Sequence, residues 1–209
     1  MKIQILIFDG AEEIDFVGPY EVFRRAAICG YDIDTRLVTP EPQNEVVGQH
    51  GLKIIPQGIL EDGKGIVFVP GGGWVARTVG VRQQIEGSLP KRLAAMWMQG
   101  TILAGICTGA MILSAAGILD GLPATTHQGA IEDLRKTKAE IVDARIVDAG
   151  QVITCGGVTS SIDLALWVLE RFFGKQASEE IARYLEYPSI PGQKSLFYQA
   201  DHKSSHRGR

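Results

Sequence analysis

Short apolar runs alternate with amphipathic stretches along most of the chain. Residues 3–8, 65–69 and 101–104 form runs rich in Ile, Leu and Val, the pattern of parallel strands buried on both faces. Another strand is predicted at 34–39, where Pro40 ends it. Strands that alternate with helical segments predict an α/β fold, a three-layer α/β/α sandwich around a mainly parallel sheet.

Helical periodicity predicts four longer helical segments, at 15–27, 82–99, 160–173 and 177–185. In the first, Pro19 is tolerable only within the first turn, and in the second, Pro90 marks a break or a helix start. Shorter elements are also predicted: a strand or hairpin arm at 52–55, a strand at 124–127, a polar helix at 129–138, and a hairpin of 140–147 with 151–154.

Length and charge set bounds on the fold and its partners. The 209 residues suffice for one domain with a sizeable core, which we place at 1–187. From residue 188 the sequence is polar and basic, so 188–209 is predicted to be a partly flexible tail. The net charge of −3 gives no footprint for nucleic acid. No stretch approaches the roughly 20 consecutive apolar residues of a membrane helix, and the N-terminus is typical of a strand and not of a signal peptide.

The cysteine pattern bears on the compartment and on metal binding. Cys29, Cys107 and Cys155 lack C-x-x-C spacing. A sparse, odd set predicts neither a disulfide framework nor a zinc site, and a reducing cytoplasm is the expected setting. We predict no metal and no cofactor. Cys155 is expected to be a buried strand residue.

Cys107 stands in a G-x-C-x-G pattern between Gly105 and Gly109, after an apolar run and before a helix of small and apolar residues. This is the thiol version of a nucleophile elbow, which needs small neighbours because its central residue is held in a strained conformation. A thiol at a helix N-terminus is expected to favour the thiolate. The alternative is a small apolar residue buried at a strand–helix junction.

Two further loops should meet this elbow, because sites of open α/β sheets lie beyond the carboxyl ends of the strands. One is the segment 9–15, and the other is the triplet that includes Gly72 and Gly73. Glycines after a strand leave backbone N–H groups unobstructed, which suits a site for developing negative charge. A tight turn without a ligand explains the same glycines.

Asp15 lies at the start of an apolar helix, where it is either an N-cap or a functional carboxyl group. Beside a cysteine in a partly desolvated pocket, its pKa would be raised and it would serve as a proton donor. Glu12 and Glu13 are expected to be solvated loop charges. Glu21 is expected to be exposed or ion-paired.

Three other side chains are candidates for the site. The backbone N–H of Thr108 is well placed for an oxyanion role, since it follows the nucleophile. His127 either pairs with Cys107 or is a packed, hydrogen-bonded residue. Trp74 follows the glycine triplet and either walls an apolar substrate site or packs in the interior.

Several motifs in this order resemble the DJ-1/PfpI (ThiJ) superfamily over about residues 2–187. They are Gly10-Ala-Glu-Glu-Ile-Asp15, Val69-Pro-Gly-Gly-Gly73, Ala104-Gly-Ile-Cys-Thr-Gly-Ala110, Leu119-Asp-Gly, Ala124-Thr-Thr-His127 and Gly156-Gly-Val-Thr-Ser-Ser-Ile-Asp-Leu-Ala-Leu166. Within the superfamily, the stretch Ile14–Phe23, Cys107-Thr108-Gly109 and Ala124–His127 are most similar to isonitrile hydratases and to the amidotransferase-like half of AraC-type regulators.

The resemblance implies a flavodoxin-like fold, a homodimer, and Cys107 as a nucleophile hydrogen-bonded to an acidic residue of the first loop. That residue is Asp15 here; Thr108 matches the hydroxyl residue after the nucleophile, and Gly72 and Gly73 match the backbone cradle. The PfpI-type proteases have a histidine immediately after the cysteine, so Thr108 argues against protease activity. The glyoxalase members use a glutamate where this chain has the shorter Asp15.

The resemblance implies three functional hypotheses. The first is an isonitrile hydratase that adds water to R–N≡C, with Cys107 as nucleophile and Asp15 as general acid. The second is a redox-responsive or protective protein in which a low-pKa Cys107 is oxidised or captures small electrophiles. The third is a non-catalytic ligand-binding module descended from the amidotransferase-like half of AraC-type regulators. A complete regulator of that type would also need a C-terminal helix-turn-helix domain beyond Arg209.

Overall fold

The computed structural model describes residues 1–74, 79–188 and 197–199. In chain order the strands are β1 (Lys2–Leu6), β2 (Asp34–Thr39), β3 (Val46–Val47), β4 (Lys53–Ile54), β5 (Gly58–Ile59), β6 (Ile66–Val69), β7 (Ile102–Ile106), β8 (Pro123–Ala124), β9 (Glu140–Ile141), β10 (Ile146–Asp148), β11 (Val152–Cys155) and β12 (Phe197–Gln199). The helices are α1 (Glu13–Ile28), α2 (Val81–Glu86), α3 (Leu89–Met98), α4 (Gly109–Ala115), α5 (Ile131–Leu134), α6 (Ser160–Phe173) and α7 (Lys175–Tyr184).

The middle layer of the described part is a sheet with the strand order β12-β10-β11-β7-β6-β1-β2-β5. From β11 to β5 in this order, each strand pairs in parallel with its neighbour. Strands β10 and β11 form an antiparallel hairpin. Helices α1, α6 and α7 pack against one another, and α2, α3 and α4 form a second group. The predicted mainly parallel α/β/α sandwich is confirmed.

The core explains why the apolar runs become central strands. Side chains of β6 are buried throughout, as are all but the first residue of β1 and β7. A strand covered by helices on both faces buries every side chain, so its sequence shows no alternation. Phe23 of α1 meets Phe68 of β6 edge to face, with ring centroids 5.2 Å apart. Burying each such ring contributes about 2–3 kcal/mol.

Most predicted elements are confirmed, two of them with the observed bounds. These are β2 at 34–39 and α6 at 160–173. The segment 82–99 forms two helices, and Pro90 is the second residue of α3, where its missing N–H costs nothing. Helix α1 begins at Glu13, so the expectation that Pro19 lies in the first turn was wrong. The arm at 52–55 contains β4, which pairs with β3.

The segment between α4 and β10 departs from the prediction. The strand expected at 124–127 is limited to β8, and the helix expected at 129–138 consists of a 3₁₀ turn followed by the four-residue α5. The arm expected at 140–147 is divided into β9, which pairs with β8, and β10, which pairs with β11. The polar residues of this segment cover little apolar surface, so hydrophobic periodicity is a weak guide to its secondary structure.

The C-terminal region is described only in part. Most of 188–209 lies outside the described residues, but β12 adds to the sheet in parallel with β10. The domain boundary at residue 187 therefore stays a prediction. No described helix has both the length and the apolar character that crossing a membrane requires.

Candidate active site

Cys107 lies at a sharp turn between β7 and α4. Its φ of 53° is in the left-handed region, which a non-glycine residue adopts only at a cost. The flanking glycines are needed for close approach. A Cβ on Gly109 would lie 2.0 Å from the carbonyl oxygen of Val69, and one on Gly105 would lie 3.1 Å from the Cα of Ala110. The predicted nucleophile elbow therefore has the expected shape.

The backbone of Cys107 is held by neighbouring loops on both sides. Its N–H donates to the carbonyl oxygen of Gly156 at 3.1 Å, and its carbonyl accepts the Thr126 hydroxyl at 2.8 Å. Strained residues persist where the surroundings determine their conformation in this way. Thr126 is thus part of the support of the elbow.

Asp15 is the third residue of α1, and its side chain is fully buried. Its Oδ2 accepts the backbone N–H of Gly71 at 2.8 Å. Its Oδ1 is buried without a conventional hydrogen-bond donor, and the Cys107 thiol lies beside the carboxyl group. The N-cap position belongs to Glu12, whose side chain makes no capping bond, so the N-cap interpretation of Asp15 was wrong.

Burial raises the pKa of Asp15 well above its ordinary value, and the negative charge of Glu12 raises it further. The Gly71 N–H and the contact with Cys107 act in the opposite direction but are outweighed. The carboxyl group consequently keeps a proton at pH values where a solvated aspartate has lost it. Asp15 can therefore act as an acid.

Cys107 does not rest as the thiolate that the helix terminus led us to expect. Burial, together with the charge of Asp15, raises the pKa of the thiol to about 12. The N–H groups of Val158 and Thr108 and the Thr108 hydroxyl bond to the sulfur and favour the charged form. They do not overcome the effect of burial, since the residue Cys107 is only 6% exposed.

The three N–H groups of the glycine triplet all have partners inside the protein. Gly71 donates to Asp15, Gly72 donates to the Thr108 hydroxyl oxygen at 3.0 Å, and Gly73 donates to Oε1 of Gln49 at 2.8 Å. Gly72 and Gly73 therefore do not form the expected cradle of free N–H groups for negative charge. The triplet positions the acid and the hydroxyl group of the site instead.

Thr108 connects this triplet to the sulfur. Its hydroxyl oxygen accepts the Gly72 N–H, so its own proton is directed to Cys107. Gly71 must lack a side chain here, since a Cβ would lie 2.8 Å from the Cβ of Cys107 and 2.7 Å from the Thr108 hydroxyl oxygen. These contacts bring the first loop, the triplet and the elbow together as predicted.

The sequence profile of the DJ-1/PfpI family matches residues 1–171. The chain belongs to the DJ-1/PfpI family. An isonitrile hydratase of Pseudomonas putida is 30% identical over 194 residues, which cover 91% of this chain and 80% of that protein.

Two other DJ-1/PfpI relatives show how far the likeness extends. The HTH-type transcriptional regulator CdhR of Pseudomonas aeruginosa is 29% identical over 181 residues, which are 85% of this chain and 52% of the regulator. This chain therefore spans about half the length of that relative. DJ-1beta of Drosophila melanogaster has the same fold, with a TM-score of 0.79 at 24% identity over 90% of this chain and 98% of that one.

A polar network supports the glycine triplet of this DJ-1/PfpI chain. Gln49 accepts the Gly73 N–H and donates from Nε2 to Oε2 of Glu12 at 2.7 Å. Glu13 accepts from the N–H and Nδ1 of His50, at 2.6 and 2.7 Å. The side chains of Glu12 and Glu13 are only 13% and 14% exposed, so describing them as solvated was wrong.

The same network contains the group of potential metal ligands found within the described residues. One ligand atom from each of Glu12, Glu13 and His50 lies within 4.8 Å of the others. Three of the four carboxylate oxygens already accept hydrogen bonds from Gln49 or His50. The network is internally satisfied, and its evident role is to hold the first loop against Gln49.

Trp74 is half-buried at the end of the triplet. Its Nε1 donates to Oδ2 of Asp133 at 2.9 Å, and the Arg82 guanidinium stacks 4.5 Å from the ring centroid. Residues 75–78, which follow it, lie outside the described part. The indole is thus fixed by two charged side chains beside the glycine triplet.

His127 follows β8 and caps the 3₁₀ turn at 128–130. Its Nδ1 accepts the N–H of Gly129 at 3.0 Å, and its ring packs on Gly157, where a Cβ would lie 2.3 Å from Cδ2. Within the described residues we find no hydrogen bond between His127 and Cys107. The geometry favours the packed, hydrogen-bonded alternative over a Cys–His pair.

Three participants were missed by sequence reasoning: Gln49, Thr126 and Val158. Thr126 carries a usable signal, since it lies within the Ala-Thr-Thr-His motif, but a buried threonine rarely identifies its partner. Val158 likewise lies within the Gly156–Leu166 motif, whereas Gln49 lies in none of the motifs; both act through contacts made far along the chain. Nothing in their local sequence indicates those contacts.

Proposed function

We propose that this protein is an isonitrile hydratase, which converts R–N≡C and water into the formamide R–NH–CHO. The observation that carries the proposal is the fully buried Asp15 beside the Cys107 thiol. The terminal carbon of an isonitrile is a poor electrophile until it is protonated, so it requires an acid and a nucleophile in one small space. The 30% identity to an isonitrile hydratase supports the same assignment.

In the first step Asp15 delivers its proton to the terminal carbon while the sulfur of Cys107 forms a bond to that carbon. The thiol proton passes to the carboxylate, so Asp15 ends the step protonated again. The product is the thioimidate R–N=CH–S–Cys107, which contains the whole substrate and releases no leaving group. Charge on the sulfur is stabilised by the hydroxyl and N–H of Thr108.

In the second step water adds to the imidate carbon. Asp15 gives its proton to the nitrogen and takes one from the water, and the product is the tetrahedral adduct R–NH–CH(OH)–S–Cys107. The C–S bond then breaks with its electron pair on the sulfur. The hydroxyl proton returns to the sulfur through Asp15, and the formamide leaves. One carboxyl group thus serves as acid and as base.

The proposal includes a site for an apolar substituent and a dimeric assembly. Trp74 would wall the substituent R, since its ring is held next to the triplet that contacts Cys107. For the homodimer, the exposed apolar side chains of Ile14 and Val17 lie with Ile162 around one apolar hollow on α1 and α6. Sedimentation equilibrium tests the assembly, with a monomer as the contrary result.

Product analysis tests the activity. The reduced protein is incubated with a simple alkyl isonitrile, and the N-alkyl formamide is quantified beside Cys107→Ala and Asp15→Asn. The matched control is Cys155→Ala, which removes another buried thiol. We expect formamide from the wild type and the control and none above background from the two site variants.

The contrary result also has a clear form. If no formamide appears while Cys107 stays reduced and is readily alkylated near neutral pH, the hydratase proposal is wrong. That outcome would favour capture of small electrophiles or a redox response. A variant Asp15→Asn with full activity would remove the carboxyl group from the mechanism.

A further inference from the structure

Trp74 is held from two sides by charged side chains of other segments. Its indole Nε1 donates at 2.9 Å to Oδ2 of Asp133, which lies on α5, 59 residues later in the chain. The Arg82 guanidinium of α2 stacks 4.5 Å from the ring centroid, and its Nε donates to the carbonyl oxygen of Trp74. A hydrogen bond to a carboxylate is about twice as strong as a neutral one, and the stacked cation fixes the plane of the ring. The indole is therefore held in one orientation.

Asp133 has one oxygen reserved for the indole. Its Oδ1 accepts from Nζ of Lys136 at 2.9 Å, and its Oδ2 accepts from Trp74. The bonds from Lys136 and from Trp74 hold the pKa of Asp133 below its ordinary value. The carboxylate is consequently charged at neutral pH, so the bond to the indole is present under the conditions in which the protein works.

The indole connects the two segments that flank the elbow. On one side, the glycine triplet that precedes Trp74 bonds to the hydroxyl oxygen of Thr108. On the other side, the Thr126 hydroxyl donates to the carbonyl oxygen of Cys107, and the chain continues through the 3₁₀ turn and α5 to Asp133. The bond between the indole and α5 therefore closes a ring of contacts that begins and ends at the elbow.

Packing alone does not account for these contacts. The Nε1 of Trp97 is buried without a hydrogen-bond partner among the described residues, so this chain tolerates an unbonded indole N–H in its interior. Trp74 is only half-buried, and water could satisfy an indole N–H there at little cost. A carboxylate brought from α5 adds a fixed direction. What the contacts of Trp74 specify is thus the orientation of its ring.

We propose that Asp133 is a positioning residue for substrate selectivity, which holds the Trp74 indole across the approach to Cys107 and so limits the size of the group that reaches the sulfur. This rests on the proposed function, in which Trp74 walls the substituent R. It adds that the substrates are compact isonitriles with a short, unbranched R. An apolar wall discriminates about 10- to 200-fold for one methylene group. Asp133 itself transfers no proton and forms no bond to the substrate.

Selectivity between two isonitriles tests the proposal. The value of kcat/KM is measured for ethyl isonitrile and for cyclohexyl isonitrile in the wild type, Asp133→Ala and Asp133→Asn. The ratio of the two values, ethyl over cyclohexyl, should fall about tenfold in Asp133→Ala, because the indole is free to turn away from the bulkier ring. Asp133→Asn keeps an acceptor oxygen for the indole and should retain most of the wild-type ratio.

Glu132→Ala is the matched control. Glu132 and Asp133 are the acidic residues in the first turn of α5, and Glu132 pairs with Arg135 at 3.5 Å. Its removal changes the charge of this turn equally and leaves the acceptor of the indole in place, so the ratio should stay at the wild-type value. A kcat/KM that falls equally for both isonitriles in Asp133→Ala would show a structural contact without selectivity and would overturn the proposal. The same change of ratio in Glu132→Ala would also overturn it.

Alkylation of Cys107 distinguishes this proposal from the hydratase assignment. Rates with iodoacetamide and with the bulkier N-phenyl iodoacetamide are measured at pH 9 by peptide mass spectrometry. Both reagents react with the same thiolate, so their rate ratio does not depend on the pKa of the thiol. The preference for the small reagent should weaken in Asp133→Ala and not in Glu132→Ala. If it weakens in a protein that makes no formamide, the hydratase assignment is wrong and the role of Asp133 stands; an unchanged ratio overturns that role whether or not formamide is made.

The contact itself is checked by the indole N–H signals in ¹⁵N-edited NMR. The chain has three tryptophans, and the signal of Trp74 is identified by its loss in Trp74→Phe. Loss of the carboxylate in Asp133→Ala should move this signal upfield and leave the other two nearly unchanged. An unchanged Trp74 signal would show that Asp133 does not hold the indole, and the proposal would be wrong.

Discussion

The backbone N–H of Gly71 donates to Oδ2 of Asp15 at 2.8 Å. This bond leaves Oδ1 as the buried oxygen without a conventional donor, in a carboxyl group that lies beside the Cys107 thiol. A carboxyl group fixed through one oxygen has the other available for proton transfer. Under the proposed mechanism the two oxygens of Asp15 therefore have different tasks, one structural and one chemical.

The raised pKa of Asp15 predicts a stability effect of Asp15→Asn. The folded state keeps the proton at pH values where the unfolded chain has lost it, so the free energy of unfolding falls as pH rises from the ordinary value of 3.8 to the folded pKa. Asparagine fits the same space and does not ionise. Above that pH window, the free energy of unfolding of Asp15→Asn should exceed that of the wild type by about 1.4 kcal/mol for each unit by which the pKa of Asp15 is raised.

Thermal unfolding measured from pH 4 to pH 8 checks this prediction. The melting temperature of the wild type should fall relative to that of Asp15→Asn as pH rises, by about 2–4 °C per kcal/mol in a chain of this size. Parallel curves for the two proteins, or a variant that is less stable at neutral pH, would contradict a raised pKa at Asp15.

Glu12 should tune the acid from a neighbouring position. Its negative charge is one cause of the raised pKa of Asp15, after burial. Glu12→Gln should lower that pKa, so activity that depends on protonated Asp15 should be lost at a lower pH. The measurement is the pH profile of kcat/KM for formamide production, read on its alkaline side.

Glu13→Gln is the matched control for Glu12→Gln. Glu13 is the adjacent carboxylate, has a similar exposure, and is not among the causes of the Asp15 shift. The alkaline side of the pH profile of kcat/KM should lie at the same pH in Glu13→Gln as in the wild type. An equal displacement in both variants would indicate a general effect of charge on the first loop and not a specific effect of Glu12.

Replacing Thr108 tests the connection between the glycine triplet and the sulfur. Thr108→Val removes the hydroxyl that bonds to Cys107 and leaves the Gly72 N–H without its acceptor. We expect kcat/KM to fall about 10- to 100-fold, since a donor to a developing charge is lost. Thr108→Ser keeps the hydroxyl and should recover most of the activity; equal losses in the two variants would mean that shape, and not hydrogen bonding, is responsible.

Thr126 should matter for stability. Its hydroxyl is the donor to the carbonyl of the strained Cys107. Thr126→Val leaves that buried carbonyl unpaired and should cost about 1–3 kcal/mol in urea unfolding, whereas Thr126→Ser should cost much less. A valine variant as stable as the serine variant would show that the elbow does not depend on this bond.

Local sequence predicts the elbow and the central strands well, because their determinants are local. Gly105, Cys107 and Gly109 are close in the chain, and the turn they form requires small residues whatever surrounds it. Buried strands need continuous apolar runs, which are read directly. The meeting of the first loop with the elbow could also be predicted, since parallel strands end at one edge of the sheet.

The sequence does not predict which acceptor each backbone N–H of the site bonds to. Glycines in a sequence indicate accessible backbone N–H groups. Whether the N–H of Gly73 bonds to a ligand or to Gln49 depends on a hairpin more than twenty residues away in the chain. The protonation of Cys107 was misjudged for a related reason. A strand–helix junction indicates favourable dipoles, whereas burial, which outweighs them, is a property of the assembled fold.

Intact mass spectrometry during a single turnover tests the central claim most directly, namely that Cys107 and Asp15 add an isonitrile without a leaving group. The protein is mixed with excess alkyl isonitrile, quenched in acid at successive times and digested to locate the modified residue. We predict a transient adduct on Cys107 whose added mass equals the complete isonitrile, absent in Cys107→Ala and much reduced in Asp15→Asn. A Cys107 that gains only oxygen atoms, or that stays unmodified while formamide accumulates, would contradict the account.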